Sequence, residues 1–504
     1  MSPSLAFTRT LSETLVRDCA RPTKKIRVEP LVAVENAIDT NSPAVPRHPL
    51  GLRPCGNAYG GRKNLKDACG GFALLPDELI MRLLEALDAI SLLRLGSSCK
   101  AMHAFTRAEE LWKTLFVESS PKHFAWQGTW RSTYLNRPSR DEPEVNCADL
   151  YSDVLHRPFF CAHLPYTPYA RDIPASNQIA HLPNMSAKEF ATKWVDKPFI
   201  LTEPVKEWPV YRQWSTDALL ERYADTPFRA EAVDWPLKLY VEYMRNNRDE
   251  SPLYLFDRSF AEKMDITSGK EDSGSWWTPD CFGEDLFAVL GDQRPDSRWL
   301  IVGPERSGST FHKDPNATSA CNAVLRGAKY WIMFPSSSSL PPPPGVFISA
   351  DQSEVTAPLS IAEWLIGFHA EARATAGCLE GICGEGEILH VPSGYYHLVL
   401  NLEASIAITQ NFVPRRRLAA VLQFLRDKPD QVSGFKQNVK DPYGVFVEKL
   451  GMQCPEVLRE SLEELDRMGK GKKGKWEELI QSTANTEESE FSFGFGNGDD
   501  EEIP

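Results

Sequence analysis

From Leu75 onward the chain becomes regularly apolar. Leu79, Leu83, Leu84, Leu87 and Ile90 recur at the three- and four-residue intervals of a helix. Leu75-Pro76-Asp77-Glu78-Leu79 sets a proline and two acids where a helix starts, which suits the positive end of its dipole. The same spacing predicts a second helix from Ser91 to Lys100 and a third through Glu109, Leu111, Trp112, Leu115 and Phe116. Three short helices with an apolar face wider than they can bury among themselves read as a docking module. A helical cap on a neighbouring domain would need the same pattern for packing alone.

From Phe159 to about Val413 short apolar runs alternate with helical ones. Phe199-Ile200-Leu201, Lys238-Leu239-Tyr240-Val241, Tyr254-Leu255-Phe256, Trp299 to Val302, Tyr330 to Phe334, Ile388 to Val391 and Ile406 to Ile408 are the clearest predicted strands, most of them bounded by turn residues. Many short strands with scattered helices predict an α+β fold, a β-barrel or jelly roll wrapped by helices behind a small all-α module. Beyond Pro414, Leu418 to Leu425 and Glu456 to Leu465 have helical spacing. Residues 1–70, rich in Pro, Asn and Gly without a sustained period, read as a disordered leader, and 483–504 as an acidic disordered tail. Between them the expected divisions are a helical module at 71–118, a linker and N-terminal extension at 119–186, a catalytic unit at 187–425 with its core at 240–413, and C-terminal helices at 426–482.

Charge and cysteine usage narrow the function. The net charge is −13, and seven carboxylates in the Thr486–Pro504 stretch leave about −6 for the remainder. A mildly acidic body disfavours nucleic acid as the main ligand and suits a basic protein substrate. Eleven scattered cysteines with no C-x-x-C pair read as reduced thiols in a cytosolic or nuclear protein. No window approaches the ~20 apolar residues of a membrane helix, and Met1 to Ala20 lack a signal-peptide core. Lys24-Lys25-Ile26-Arg27 is a short basic cluster of the kind used for nuclear import, with a solvated tail as its plain reading.

The candidate chemistry centres on Thr310-Phe311-His312-Lys313-Asp314-Pro315. On a strand edge, residues two apart point the same way, so His312 and Asp314 can converge. A third ligand is available in Gly394-Tyr395-Tyr396-His397, which opens a strand. His390 competes for the role, but it sits inside a strand, whereas His397 follows a turn into the barrel mouth. Two imidazoles and a carboxylate on one face of a metal leave three positions open, the arrangement suited to non-haem Fe(II), a bidentate 2-oxo acid and O₂. A 2-oxoglutarate carboxylate needs a buried cation and hydroxyls. Lys329, in the apolar run Gly327-Ala328-Lys329-Tyr330-Trp331, is the candidate cation, with Ser309, Asn322 and Thr409 as nearby hydrogen-bonding groups. Tyr254, Tyr395 and Tyr396 are candidates for the border of a substrate channel, with a place in the buried aromatic core as the alternative.

Two resemblances sharpen this picture. Leu-Pro-x-Glu-Leu closing in Leu-Trp-Lys-x-Leu-Phe, over 75–116, resembles an F-box, which implies docking to the Skp adaptor of a Skp–cullin–F-box ubiquitin ligase. Gly303 to Pro315, Thr318 to Ala323, Gly327-Ala328-Lys329, Val391 to His397 and Ala407 to Phe412 resemble the Jumonji-C family, in particular its phosphatidylserine-receptor-like bifunctional arginine demethylases and lysyl-hydroxylases. The likeness extends upstream through Tyr240 to Met244 and Asp249 to Tyr254, covering 187–413. By motif position it implies a double-stranded β-helix (cupin) core, iron at His312, Asp314 and His397, and 2-oxoglutarate at Asn322, Lys329 and Thr409. Ser309 stands where the family has a threonine. Tyr395 and Tyr396 stand where it has paired tryptophans, and the F-box has no counterpart there.

The implied reaction couples oxidative decarboxylation of 2-oxoglutarate to succinate with hydroxylation of a substrate C–H bond. On a lysine methylene the product is hydroxylysine; on an N-methyl group the hemiaminal releases formaldehyde. Two other functions fit parts of the pattern. One is a non-catalytic F-box substrate receptor with a cupin-type binding shell, and the other is an RNA-modifying hydroxylase. The resemblance implies a nuclear protein, with the cytoplasm as the other location.

Overall fold

The computed structural model describes residues 45–60, 63–138, 145–270, 274–337, 339–350 and 354–467. The basic cluster at 24–27, most of the expected leader and the acidic tail lie outside these residues. Among the described residues no helix is long and apolar enough to cross a membrane.

Eight strands build the centre: β1 (Arg298–Gly303), β2 (Gly308–His312), β3 (Ser319–Arg326), β4 (Lys329–Phe334), β5 (Leu379–Cys383), β6 (Glu387–Val391), β7 (Tyr396–Asn401) and β8 (Ser405–Phe412). They divide between two sheets, in the orders β6-β3-β8-β1 and β5-β4-β7-β2, every pairing antiparallel. This is the expected double-stranded β-helix. The first sheet grows to nine strands, with Phe199–Leu201 and Ala180–Leu182 beyond β6 and Leu255–Asp257, Pro227–Ala230 and Val233–Pro236 beyond β1. Every residue of β4 and β7 is buried, which explains text that is apolar except at Lys329, His397 and Asn401.

Three sequence expectations need correction. Lys238-Leu239-Tyr240-Val241 is not a strand but part of the helix Leu237–Arg245. Its buried Leu237, Tyr240, Val241 and Met244 follow the helical spacing that a four-residue window cannot distinguish from a strand. Strand β3 was not foreseen. Its text, Ser-Ala-Cys-Asn-Ala, lacks strong strand formers, and it is buried because it lies between β6 and β8. Lys329 therefore stands two strands beyond the His-x-Asp turn.

The third correction concerns the N-terminal module, which has four short helices: α1 (Asp77–Leu84), α2 (Ala89–Gly96), α3 (Lys100–Phe105) and α4 (Glu109–Ser119). The expected Ser91–Lys100 helix breaks because the Cys99 sulfur caps a new helix, accepting from the Met102 N–H. Gly96 lets α2 come close to α3, since a Cβ there would stand 2.4 Å from Thr106 Oγ1. Residues 45–70, expected to be leader, hold short 3-10 turns at Cys55–Gly60 and Leu65–Ala68 and bury Leu52.

The helical module is welded to the barrel. Ile80, Leu84, Leu92, Met102, Phe105, Trp112 and Phe116 belong to the same core as Trp126, Trp130, Trp235 and Tyr243. Phe116 meets Trp130 and Trp235 edge-on, and the Trp130 indole N–H donates to Asp249 at 2.9 Å. A second core joins Leu286 and Phe287 to Leu418–Asp427, Pro442–Gln453 and the helical residues 455–467. The helices expected at Leu418–Leu425 and Glu456–Leu465 are present; Pro442–Gln453 is an additional one.

Candidate active site

The site is assembled by strand register. His312, the last residue of β2, pairs directly with His397 on β7. Opposed residues in an antiparallel pair bring their Cβ atoms within about 5 Å, and here the two imidazole rings stand 4.1 Å apart, centroid to centroid. Asp314 follows His312 by two residues, and its backbone stays extended into the turn at Pro315. All three side chains line one cavity of about 190 Å³ between the sheets.

The rings are oriented alike. His312 Nδ1 meets the Thr310 carbonyl at 2.7 Å, and His397 Nδ1 meets that of Tyr395 at 3.1 Å. With Nδ1–H donating to a carbonyl, each neutral imidazole presents the lone pair of Nε2 as a ligand. Burial holds both rings down at about 4, His312 further lowered by His397. Burial also pushes the Asp314 carboxyl up to about 6, against the pull of His312 and Asn411. His312 and Asp314 keep some accessible surface, as cavity-lining groups do, yet burial dominates their ionisation. Asp314 Oδ1 accepts weakly from Asn411 Nδ2 at 3.4 Å, and Oδ2 is buried with no hydrogen-bond partner among the described residues. An orphaned carboxylate oxygen beside two neutral imidazoles is a donor set that fits a divalent cation. Among the described residues no three His, Cys, Asp or Glu groups already stand closed around one point as they would on a bound ion.

A second polar cluster lies at the same cavity. Lys329 is fully buried, and its ammonium donates to Tyr254 Oη at 2.6 Å, Asn401 Oδ1 at 2.7 Å and Ser405 Oγ at 3.0 Å. Register again explains the contact, because Lys329 on β4 faces Asn401 on β7. None of its partners is a carboxylate, so burial lowers the amine to about 7 from an ordinary 10.5. A buried cation without a counter-charge is suited to an incoming anion. Asn322 on β3 pairs with Thr409 on β8, and both line the cavity with Ser309. Thr409 donates to the Cys321 carbonyl at 3.0 Å, while Asn322 Oδ1 is buried and unpartnered among the described residues.

The structure therefore brings together His312, Asp314, His397, Ser309, Asn322 and Thr409, and joins Lys329 to the cavity wall through the Tyr254 hydroxyl. Tyr254 was expected at the substrate channel; it lines the cavity, and its hydroxyl serves Lys329. Tyr395 and Tyr396 do not line it. The Tyr395 hydroxyl donates to the Asp196 carbonyl at 3.1 Å, and the buried Tyr396 ring lies under the Lys313 ammonium at 4.4 Å. His390 packs among Phe190, Phe199 and Phe282, in the aromatic core. Sequence reasoning missed Asn401, Ser405 and Asn411 as supporting groups, and Phe256, Trp299 and Trp331 as cavity wall. Strand pairing alone identifies them, and no local spacing signals it.

Comparison with known proteins agrees with this geometry. Residues 187–417 match the Cupin-like domain family and residues 72–118 the F-box-like family. Over 470 residues the chain is 37% identical to the Arginine-specific demethylase JMJ22 of Arabidopsis thaliana, spanning 89% of this chain and 90% of that one. The chain belongs to the Jumonji-C family. Among other Jumonji-C relatives, the Bifunctional arginine demethylase and lysyl-hydroxylase psr-1 of Caenorhabditis elegans is 31% identical over 55% of this chain and 68% of its own. The Lysine-specific demethylase JMJ21 of Arabidopsis thaliana is 32% identical over 72% of this chain, which covers 39% of that longer relative. Both the F-box-like and the cupin-like stretch of this Jumonji-C chain contribute to the shared core described above.

Proposed function

We propose that this protein is an Fe(II)- and 2-oxoglutarate-dependent oxygenase of protein side chains, hydroxylating lysine or demethylating methylated arginine or lysine. The observation that carries the proposal is the pairing of two sites at one cavity. His312, Asp314 and His397 form a cation-ready donor set that lines it, and Lys329, linked to its wall through the Tyr254 hydroxyl, is a buried cation that lacks an anion. Iron, with 2-oxoglutarate and O₂, would supply the oxidation of a substrate C–H bond. The chain's own groups do the positioning. His312 and His397 keep their tautomers through the Thr310 and Tyr395 carbonyls, and with the free oxygen of Asp314 they would hold the ion. Lys329, with Tyr254, would hold a carboxylate of the co-substrate, and Asn322, Thr409 and Ser309 would supply polar groups along its site. Ile301, Trp331, Val391 and Val399 keep the cavity wall apolar and limit water.

The test is succinate release from purified protein with Fe(II), ascorbate and 2-oxoglutarate, beside His312→Ala and a pool of basic peptides. Turnover that requires both metal and His312 supports the reading. Peptide shifts of roughly +16 or −14 mass units then separate hydroxylation from demethylation. Failure to bind 2-oxoglutarate in the metal-loaded protein would sink it and leave the protein-binding shell as the function.

A second activity belongs to the same chain. Leu74, Leu79, Leu83 and Ile90 are 88, 50, 50 and 58% exposed, whereas Ile80 and Leu84 of the same α1 are buried. The helices therefore cap the barrel with one face and leave another free, which we propose docks a Skp adaptor. Capture of purified adaptor by the full chain, and its loss in Leu83→Asp, tests this. Nuclear residence is part of the proposal and is checked by imaging the tagged chain.

A further inference from the structure

We propose that Cys69 and Cys99 are a redox site, closing to a reversible disulfide that pins the exposed apolar segment Gly70–Leu74 to α3. Ten cysteines are described and all are free thiols. Six are buried, whereas Cys69 and Cys99 are both partly exposed, and their sulfurs lie 3.6 Å apart. That is van der Waals contact, about 1.6 Å longer than an S–S bond. Thirty residues separate the two in sequence, so the contact is made by the fold. Cys69 closes the turn Leu65–Ala68, which Lys66 anchors to Asp77 of α1 at 2.5 Å, and Cys99 caps α3.

The two sulfurs are chemically unequal. Burial resists ionisation of Cys99, but the Met102 N–H and the thiols and hydroxyls of Cys69 and Ser98 outweigh it and leave Cys99 below the ordinary thiol range. Burial, followed by the neighbouring Cys99, pushes Cys69 up to about 11. Cys99 is thus the nucleophile and Cys69 the resolving thiol. With hydrogen peroxide as the two-electron oxidant, the Cys99 thiolate breaks the O–O bond, becomes a sulfenic acid and releases hydroxide. Cys69 then attacks that sulfur, the S–O bond breaks and water leaves. Two thiols are oxidised to one disulfide as peroxide is reduced to two waters, and a dithiol reductant reverses the change.

The bond has a consequence for docking, which rests on the F-box reading. Phe72 and Leu74, 38 and 88% exposed, lie three and five residues after Cys69. Tethering the start of this segment reduces the freedom it loses on binding, so the oxidised chain holds the adaptor more tightly.

The experiment treats the full chain with peroxide, blocks remaining thiols and maps peptides. A Cys69–Cys99 linked peptide that vanishes with dithiothreitol is expected. Cys69→Ser should lack it and instead accumulate a dimedone-reactive Cys99. Serine caps helices well, so Cys99→Ser keeps the fold and should show neither product. Both thiols intact after the exposed Cys55 has oxidised would overturn the site. Adaptor affinity is then measured in both redox states, with a several-fold tightening expected in the wild type and none in Cys69→Ser. A linked peptide with unchanged affinity would overturn only the docking consequence, and a chain that captures no adaptor in either state would count against the F-box reading.

Discussion

Lys329 makes a quantitative prediction. Its amine is lowered to about 7 because burial is not offset by any carboxylate, its contacts being Tyr254, Asn401 and Ser405. A 2-oxoglutarate carboxylate bound there would supply the missing charge and restore the ammonium. At pH 8 the free amine carries its proton about a tenth of the time, so binding should take up about 0.9 proton per ligand. At pH 6 the proton is already present and uptake should fall to about 0.1. The sign is set by the depressed value: affinity is flat below pH 7, then weakens about tenfold, or about 1.4 kcal/mol, per pH unit above it. Calorimetry in buffers of different ionisation enthalpy measures the uptake directly, using Mn(II)-loaded protein so that His312, Asp314 and His397 are held as ligands. Lys329→Arg is the control, because a guanidinium stays charged and should abolish both the uptake and the pH slope. Uptake near zero at pH 8 in the wild type, or the same uptake in Lys329→Arg, would refute the reasoning.

Three other outcomes are expected. Tyr254→Phe removes a hydrogen bond to a charged group, worth about 1.5–3 kcal/mol. The KM for 2-oxoglutarate should rise about ten- to a hundredfold with kcat little changed, and an unchanged KM in the succinate assay would remove Tyr254 from the anchor. Phe116→Ala should cost about 3–5 kcal/mol and lower the melting of the helical module and the barrel together, because one core serves both; loss of adaptor capture with unaltered barrel melting would contradict that sharing. Leu79→Asp, on the exposed face of α1, should leave stability within about 0.5 kcal/mol while abolishing adaptor capture, and a large drop in Tm would mean that the face is internal.

The candidate metal triad and the candidate co-substrate lysine were legible because their chemistry is local in sequence. A His-x-Asp pair, a lysine inside an apolar run and a histidine opening a strand each signal chemistry at short range. The F-box was legible from leucine spacing, although spacing did not show that α1 carries two apolar faces, one buried and one exposed. What surrounds the site was not legible. Asn401 and Ser405 lie 72 and 76 residues from Lys329, and Tyr254 lies 75 residues before it. Asn411 lies 97 residues from Asp314. Such partners are chosen by register between strands, and a one-residue slip would turn each of them to the other face. Tyr395 and Tyr396 show the converse, since closeness to His397 in sequence did not place them on the cavity. The helix at Leu237–Arg245, expected as a strand, was decided in the same way, its apolar side settled by what packs on it. By itself the sequence determined the candidate groups for the chemistry and the jelly-roll class of the fold that carries them. Which uncharged groups hold the lysine, which aromatics wall the cavity and which cysteines touch were decided only by the tertiary structure, because strand pairing and packing bring together residues whose spacing in the chain carries no signal.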